Sequence, residues 1–174
     1  GFIGYNTASR LLDRGGEVVG IDIVNDYYSV ELKNARLDRL IGREGFKFHK
    51  LDLSDRNSYD KTAAAIDGVT RAIHLAAQAG VRHSIEHPFD YVDANLVGHM
   101  TVLELCRHQP DFEHLVYASS SSVYGGNTKL PFAVEDRVDS PVSLYAATKR
   151  ANEHMSYSYA HLYGLAQTGL RFFT

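Results

Sequence analysis

Cysteine is nearly absent from this sequence: Cys106 is the only one in 174 residues. A single thiol cannot form an internal disulfide, and it cannot build a cysteine-based metal cluster. The sequence therefore lacks the features of a disulfide-stabilised secreted domain and fits a reducing compartment. We expect a cytoplasmic protein.

The chain also lacks an excess of one charge and a long apolar run. It has 18 basic and 21 acidic side chains and a net charge of −3, which gives no reason to expect a nucleic acid or an anionic membrane surface as a partner. No apolar stretch approaches the roughly 20 residues of a membrane-spanning helix. The length suffices for one domain with a sizeable core.

What the sequence does contain is a regular alternation of strand and helix patterns. This alternation predicts the α/β class, with a parallel sheet covered by helices on both faces. No linker is visible, so one domain is predicted over residues 1–174. The predicted strands are 17–22, 46–51, 70–76, 114–119 and 166–173, and the predicted helices are 2–14, 29–41, 54–67 (capped by Ser54), 89–108 and 141–163.

A tyrosine, a lysine and a serine form the most informative group of residues. Tyr145 and Lys149 are four residues apart, and positions i and i+4 of a helix share one face. A free phenol has a pKa of about 10, and a nearby ammonium favours its ionised form. Ser120, just after a predicted strand, supplies a hydroxyl that can share a substrate oxygen. The three residues predict a proton-transfer site.

A glycine motif, Gly1-Phe2-Ile3-Gly4, begins a predicted helix, and Asp22 closes the strand that follows. Glycines let the backbone approach a pyrophosphate, and a helix N-terminus offers free N–H groups. An acid after the strand accepts hydrogen bonds from ribose hydroxyls and disfavours a 2′-phosphate, so the pattern predicts NAD rather than NADP. The alternative is that Gly1 and Gly4 only permit close helix packing.

This motif is the second half of a dinucleotide-binding fingerprint, whose first strand and first glycine are expected just before Gly1. In the usual strand order, 3-2-1-4-5-6, that strand is central. Its loss would leave strands 17–22 and 70–76 without their shared neighbour. We therefore expect a fragment that folds poorly and is inactive in isolation. A sharp thermal transition with measurable NAD affinity would refute this expectation.

Seven motifs, taken in order, resemble the extended short-chain dehydrogenase/reductase family of nucleotide-sugar epimerases and dehydratases. The resemblance covers the whole chain and implies a Rossmann-type doubly wound parallel sheet that lacks its first strand and the C-terminal substrate domain. The motifs are Gly1-Phe2-Ile3-Gly4, Asp52-Leu53, Leu75-Ala76-Ala77, Asn95 in an Asn-Leu-Val-Gly stretch, Ser119 to Gly125, Tyr145 to Lys149, and Arg171-Phe172-Phe173-Thr174.

The resemblance implies that several of these motifs hold NAD. Asp52-Leu53 would lie over adenine, Leu75-Ala76-Ala77 beside the pyrophosphate, and Lys149 on the nicotinamide ribose. Taken singly, Asp52 has an equally good explanation as a turn residue, and the Leu-Ala-Ala motif as ordinary core. The implied cofactor-binding residues are Gly1, Phe2, Ile3, Gly4, Asp22, Asp52, Leu53, Leu75, Ala76, Ala77, Asn95, Tyr145, Lys149 and Phe173.

Finer features, in residues 25–28, 77–82 and 117–132, resemble the UDP-glucuronate 4-epimerases of this family. The implied first step is oxidation at C4 of the sugar, with Tyr145 removing the O4 proton while Ser120 hydrogen-bonds O4. Return of hydride to the opposite face would complete the epimerisation.

Two serines favour epimerisation over related reactions. Ser121 and Ser122 stand where dehydratases of the family carry an acid/base pair, and hydroxyls cannot take a proton from C5 without a partner base. The alternatives left open are UDP-glucose 4-epimerisation, another NAD-dependent dehydratase or decarboxylase, and a non-catalytic NAD-binding domain. The implied substrate-binding residues are Ser120, Ser121, Ser122, Arg82 and Thr174.

Two further features concern metals and assembly. His83 and His87 have a spacing that can ligate zinc, but Pro88 follows and no third ligand is evident in the sequence, so we interpret them as surface polar residues and expect no metal. The helices 89–108 and 141–163 correspond to the usual dimerisation surface of the family, which implies a homodimer.

Overall fold

The computed structural model describes residues 1–173. They form two compact units, one comprising Gly1–Asp67 and the other beginning at Gly68. Both units contain parallel strands and flanking helices, which confirms the predicted α/β class. That the chain is a single domain stays a prediction.

The first unit contains two parallel strands and three helices. Val18 pairs with Phe46 and Ile21 with His49, which fixes the register of the sheet. Gly20 packs closely against the neighbouring strand, because a Cβ atom at this position would lie 3.1 Å from the Phe46 ring. The elements are α1 (Phe2–Leu12), β1 (Val18–Ile21), α2 (Val30–Asp38), β2 (Phe46–His49) and α3 (Tyr59–Ala65).

The prediction that Ser54 caps the helix after β2 is wrong. The Asp55 side chain instead accepts the N–H of Asn57 at 3.0 Å and caps a 3-10 turn that precedes α3. Ser54 bonds to Asp52 through both its backbone N–H (2.8 Å) and its hydroxyl (2.7 Å). The carboxylate of Asp52 accepts both bonds, so Ser54 lies in the preceding turn.

The second unit contains a three-stranded parallel sheet in the order β3-β4-β5. Gly169 in β5 allows close packing, because a Cβ atom there would lie 2.5 Å from the ring of Tyr117 in β4. The elements are β3 (Arg71–His74), α4 (His83–Glu86), α5 (Pro88–Tyr91), α6 (Gly98–Arg107), β4 (His114–Ser120), α7 (Leu144–Tyr163) and β5 (Gln167–Phe172).

The predicted continuous helix over residues 89–108 is interrupted. A π-helical turn, Val92–Val97, separates α5 from α6. It contains Asn95, whose buried side chain bonds to the backbone of Gln78 and to Thr148. These partners are distant in sequence, so the helical periodicity did not predict the interruption.

The hydrophobic core of the second unit lies mainly between its helices and the central strand. Leu103 of α6, Leu115 of β4 and Ala146 of α7 are fully buried. Within residues 1–173, none of the helices combines the length and the apolar character needed to span a membrane.

Candidate active site

The carboxyl end of β4 presents two serines with different partners. Ser119 donates a hydrogen bond to Glu153 Oε1 at 2.7 Å. Ser120 is the last residue of the strand, and its hydroxyl accepts the Ser122 N–H at 3.2 Å and lies 2.5 Å from the Ser122 hydroxyl. Successive side chains of a strand point to opposite faces, which explains why neighbouring serines have separate partners.

A tight turn fixes the polypeptide after these serines. Residues Ser121–Tyr124 form a 3-10 turn that ends at Gly125. Gly125 has φ +53°, and a Cβ atom there would collide with the carbonyl oxygen of Ser140. Only glycine satisfies both constraints, so the turn closes against the segment that leads into α7.

The tyrosine and the lysine lie on the first two turns of α7. Ser143 begins the helix by accepting the Ala146 N–H at 3.0 Å, the expected bond of an N-cap serine. Tyr145 lies in the first turn, with the Tyr91 ring edge-on at 6.1 Å between centroids. Lys149 follows one turn later on the same face.

Lys149 connects α7 to the end of β4. Its side chain is only 3% exposed, and Nζ donates a hydrogen bond to the Ala118 carbonyl at 2.9 Å. Ala118 precedes Ser120 by two residues, so the structure brings the predicted lysine to the strand end that carries the predicted serine. Burial lowers the pKa of Lys149 to about 8, which leaves the ammonium largely protonated at neutral pH.

Asn95 supports the same region. It accepts the Gln78 N–H at 2.8 Å and donates to the Gln78 carbonyl and to Thr148 Oγ1, both at 3.0 Å. Thr148 in turn donates to the Tyr145 carbonyl at 2.9 Å. The segment after β3 is thereby bonded to the first turn of α7, which agrees with a structural role for Asn95.

Two buried histidines lie close to the lysine. The rings of His74 and His99 have centroids 5.3 Å apart, and His99 Nε2 lies 2.9 Å from the Ser156 hydroxyl. Burial, together with the positive charge of Lys149, lowers the pKa of His99 to about 4 and that of His74 well below its ordinary value. Both rings are therefore neutral near pH 7, and Lys149 is the charged member of this cluster.

Glu153 was not among the residues predicted from the sequence, and its side chain connects the elements that carry the site. Its carboxylate accepts hydrogen bonds from Ser119, from Arg150 at 2.8 Å, and from Arg171 at 2.9 and 3.0 Å. It thus joins β4, α7 and β5. The one available signal was its position four residues after Lys149, which places an acid on the same helix face.

Charge and burial act in opposite directions on this carboxylate. Burial alone would raise the pKa of Glu153, but the hydrogen bonds from Arg171, Ser119 and Arg150 outweigh burial and lower it. Arg171 also lies over the ring of Tyr124, 4.9 Å from its centroid. The ion pair therefore also contacts the turn that follows Ser120.

The first unit holds its predicted cofactor residues near the start of α1. Gly1 is the N-cap residue, and its amino group lies 3.4 Å from Asp22 Oδ2. Asp22 Oδ1 accepts the Val24 N–H at 2.7 Å, and 38% of the Asp22 side chain is exposed. Gly1 and Asp22 therefore lie close together, and their roles in binding NAD stay predictions. Phe2 and Ile3 are exposed, and their cofactor role stays a prediction.

The remaining predicted residues have varied surroundings. Asp52 makes the turn described above, which agrees with the simpler explanation for it. Leu75, Ala76 and Ala77 follow β3, Arg82 is exposed, and Phe173 lies about 6 Å from the rings of Tyr124 and Phe132. Thr174 lies outside the described residues.

Comparison with known proteins places this arrangement among nucleotide-sugar enzymes. A family described as GDP-mannose 4,6 dehydratase matches residues 1–174. A probable UDP-glucuronate 4-epimerase of Rhizobium meliloti (strain 1021) is 51% identical over 174 residues, which are 100% of this chain and 50% of that protein. UDP-glucuronate 4-epimerase 3 of Arabidopsis thaliana is 47% identical over the same length, 40% of that protein.

Solved structures give the same grouping. The UDP-glucuronic acid 4-epimerase from Bacillus cereus in complex with UDP-glucuronic acid and NAD matches with a TM-score of 0.87 and 30% identity, over 100% of this chain and 54% of that one. The UDP-glucose 4-epimerase from Brucella ovis in complex with NAD has a TM-score of 0.83 and 29% identity, over 100% and 49%. The chain spans about half the length of the curated relatives it matches.

Proposed function

This chain belongs to the GDP-mannose 4,6 dehydratase family, and on that premise we propose that it carries the NAD-binding and proton-transfer residues of a nucleotide-sugar 4-epimerase acting on UDP-glucuronate. The observation that carries the proposal is the hydrogen bond from Lys149 to the Ala118 carbonyl. It fixes a buried ammonium at the strand end that bears Ser120, one helical turn from Tyr145.

The first unit fits NAD by its chemistry. Within the described residues of α1, no side chain caps the first turn, so backbone N–H groups and the positive end of the helix dipole suit a pyrophosphate. Asp22 offers a partly exposed carboxylate for ribose hydroxyls, and its charge would repel a 2′-phosphate. NAD, when bound, supplies a hydride acceptor for the sugar C4.

The second unit supplies the proton chemistry. Tyr145 takes the proton from O4 as C4 is oxidised to a ketone, and it returns that proton when C4 is reduced. Ser120 hydrogen-bonds O4, and its own hydroxyl is oriented by Ser122. Lys149, protonated at neutral pH, stabilises negative charge at the tyrosine oxygen. No net oxidation occurs, so no external redox partner is needed.

The local absence of carboxylates favours epimerisation. Residues 114–134 of the sequence contain no aspartate or glutamate, so the strand end and the turn after it offer no base for C5. The nearest acid on α7, Glu153, is bonded to two arginines and to Ser119. A 4-keto sugar held here would therefore be reduced again rather than dehydrated.

UDP-glucuronate is the proposed substrate because of the hydroxyl-rich turn. Ser121 and Ser122 can donate hydrogen bonds to the sugar carboxylate without adding a charge that promotes loss of carbon dioxide, and Arg82 and Thr174 are proposed to assist. Substituting Ser122→Glu should raise the yield of a decarboxylated pentose product. Lost activity with no pentose formed would end this role for Ser122.

UDP-glucose is the second candidate, because the Brucella ovis UDP-glucose 4-epimerase is structurally similar as well. The purified full-length protein should be incubated with NAD and each sugar in turn, with products separated by chromatography. Conversion of UDP-glucuronate to UDP-galacturonate, with little turnover of UDP-glucose, supports the proposal. The reverse preference would assign the neutral hexose.

We further propose a cytoplasmic homodimer that serves polysaccharide synthesis. Several exposed apolar side chains suit a contact between copies. They are Tyr157 and Leu162 of α7, Ile85 of α4 and Phe89 of α5. Light scattering of the purified full-length protein should give twice the mass of one chain, and Leu162→Glu should shift the mass toward that of one chain.

A further inference from the structure

We propose that His83, His87 and Asp90 form a binding site for one zinc ion. Each of the three side chains offers a ligand atom, and these atoms all lie within 4.8 Å of one another. Sequence analysis found no third ligand; the structure supplies Asp90, which lies beyond Pro88 and completes the set.

The spacing explains why the three side chains converge. His83 is the first residue of α4, His87 joins α4 to α5, and Asp90 lies in α5. Positions i, i+4 and i+7 return to one side of a helical path, and the change of helix at Pro88 preserves this. The two imidazole rings are stacked with centroids 4.3 Å apart, and His83 Nε2 lies 3.7 Å from Asp90 Oδ2.

The distance between His83 Nε2 and Asp90 Oδ2 is close to the ligand–ligand distance in a zinc site. With bonds of about 2.0 to 2.1 Å in a tetrahedral arrangement, two ligand atoms of one zinc are separated by about 3.3 Å. The His83–Asp90 distance exceeds that value by only a few tenths of an ångström. All three ligand atoms lie within 4.8 Å of one another, and binding requires the stacked imidazole rings to rotate until one nitrogen of each points to a common centre.

The backbone that carries the ligands is held in place. Tyr91 is fully buried next to Asp90, and its hydroxyl, which has one proton to donate, lies 2.7 and 2.5 Å from the carbonyl oxygens of Ala79 and Gly80. Ser84, next to His83, is buried and donates to the Val81 carbonyl at 2.6 Å. A site whose ligands are already positioned loses less conformational entropy on binding a metal.

The ligand types select the metal. Two imidazoles and one carboxylate suit zinc, whereas magnesium prefers oxygen ligands alone. His87 and Asp90 are exposed, so the ion has access from solvent and a water molecule can take the fourth position. None of the ligands belongs to the proposed proton-transfer group, so the ion would tie α4 to α5 and take no part in the sugar chemistry.

The test is calorimetric titration of the purified, tag-free protein with zinc chloride, and separately with magnesium chloride. One zinc per chain should bind saturably, and magnesium should not. His87→Asn and Asp90→Asn, both at exposed positions, should each weaken zinc binding at least about tenfold. Circular dichroism checks that the variants remain folded.

The matched control is His108, whose Nε2 lies 3.8 Å from Glu104 Oε2. This contact contains one histidine rather than two. His108→Asn should leave zinc binding unchanged. Absence of saturable zinc binding, or equal binding by the protein and the His87→Asn variant, would overturn the proposal and leave His83–Asp90 as a simple ion pair. Because no turnover is measured, the outcome is independent of the proposed epimerase activity.

Discussion

The glycine motif and Asp22, assigned to NAD in the first unit, are held in a different way from the proton-transfer residues of the second unit. In Gly1–Asp67, Asp22 lies in a partly exposed turn, and only Leu12 and Leu40 among the described hydrophobic side chains are buried. In the second unit, Lys149 and Asn95 are buried in hydrogen-bonded networks, and twelve hydrophobic side chains among the described residues of this unit are buried.

The contrast indicates that proton transfer and cofactor binding make different demands on the structure. A proton-transfer group needs side chains fixed in position and removed from water, which burial in a packed unit provides. A dinucleotide is bound largely by backbone N–H groups and one carboxylate at the surface of its unit. Substitution of Tyr145 or Ser120 should therefore change the rate of the chemical step, and substitution of Asp22 should change cofactor affinity.

The largest effect is expected for Tyr145→Phe. Loss of a general acid/base typically costs 10²- to 10⁴-fold, so kcat should fall at least about 100-fold while the Kd for NAD stays within about twofold. Steady-state kinetics and fluorescence titration measure the two quantities. Tyr157→Phe, on the exposed side of the same helix, is the control and should leave kcat unchanged.

A variant Tyr145→Phe that keeps full activity would favour a domain that binds NAD without turnover. If the affinity for NAD fell by the same factor as kcat, Tyr145 could not be assigned to the chemical step alone.

Glu153→Gln should have the next largest effect. A neutral amide cannot compensate two guanidinium groups, and a hydrogen bond to a charged group contributes roughly 1.5 to 3 kcal/mol. The free energy of unfolding should drop by about 2 kcal/mol, and kcat should fall about tenfold because Ser119 and the strand end lose their anchor. Urea unfolding and kinetics at saturating substrate test both.

Glu104→Gln is the matched control for that variant, since Glu104 also bonds to an arginine and to a tyrosine, Arg107 and Tyr159, on another part of the unit. It should lower stability with kcat unchanged. Equal losses of kcat in the two variants would remove the positioning role from Glu153.

Asp22→Asn tests the first unit. The amide can still accept the Val24 N–H, so the turn should persist, but the charged acceptor for ribose is lost. The Kd for NAD should rise about tenfold, the discrimination against NADP should weaken, and kcat at saturating NAD should remain. Asp38→Asn, at an exposed helix end, should change none of these. A fall in kcat at saturating NAD would contradict the assignment of Asp22 to cofactor affinity alone.

The last prediction concerns the pH dependence of stability. Burial lowers the pKa of Lys149 from an ordinary value of 10.5 to about 8. Below pH 8 the lysine is protonated in both the folded and the unfolded chain, and its burial costs stability in full. Between these values the unfolded chain binds more protons, so the free energy of unfolding rises with pH, and above pH 10.5 the cost is gone.

Lys149→Met should abolish this rise, as seen in the difference between urea unfolding curves of protein and variant over that pH range. Lys50→Met, at an exposed lysine, should leave the rise intact. A difference that stays constant from pH 7 to 11 would argue that Lys149 titrates at its ordinary value.

Much of the fold was predictable because strands and helices have distinct periodicities. All five predicted strands are present, with ends that differ by a few residues. The Tyr145, Lys149 and Ser120 group could be predicted because a four-residue spacing has a local structural meaning. The π turn at Asn95 and the role of Glu153 could not, because they depend on Thr148 and Arg171, which approach only once the sheet and α7 have packed.

The most direct test of the central claim follows the hydrogen at C4. UDP-glucuronate carrying deuterium at C4 should be incubated in ordinary water with the full-length protein and NAD, and the product examined by NMR. We expect UDP-galacturonate that retains the deuterium at C4, because the hydride leaves C4 and returns to it without exchanging with water. Product with hydrogen at C4, or no UDP-galacturonate at all, would contradict it.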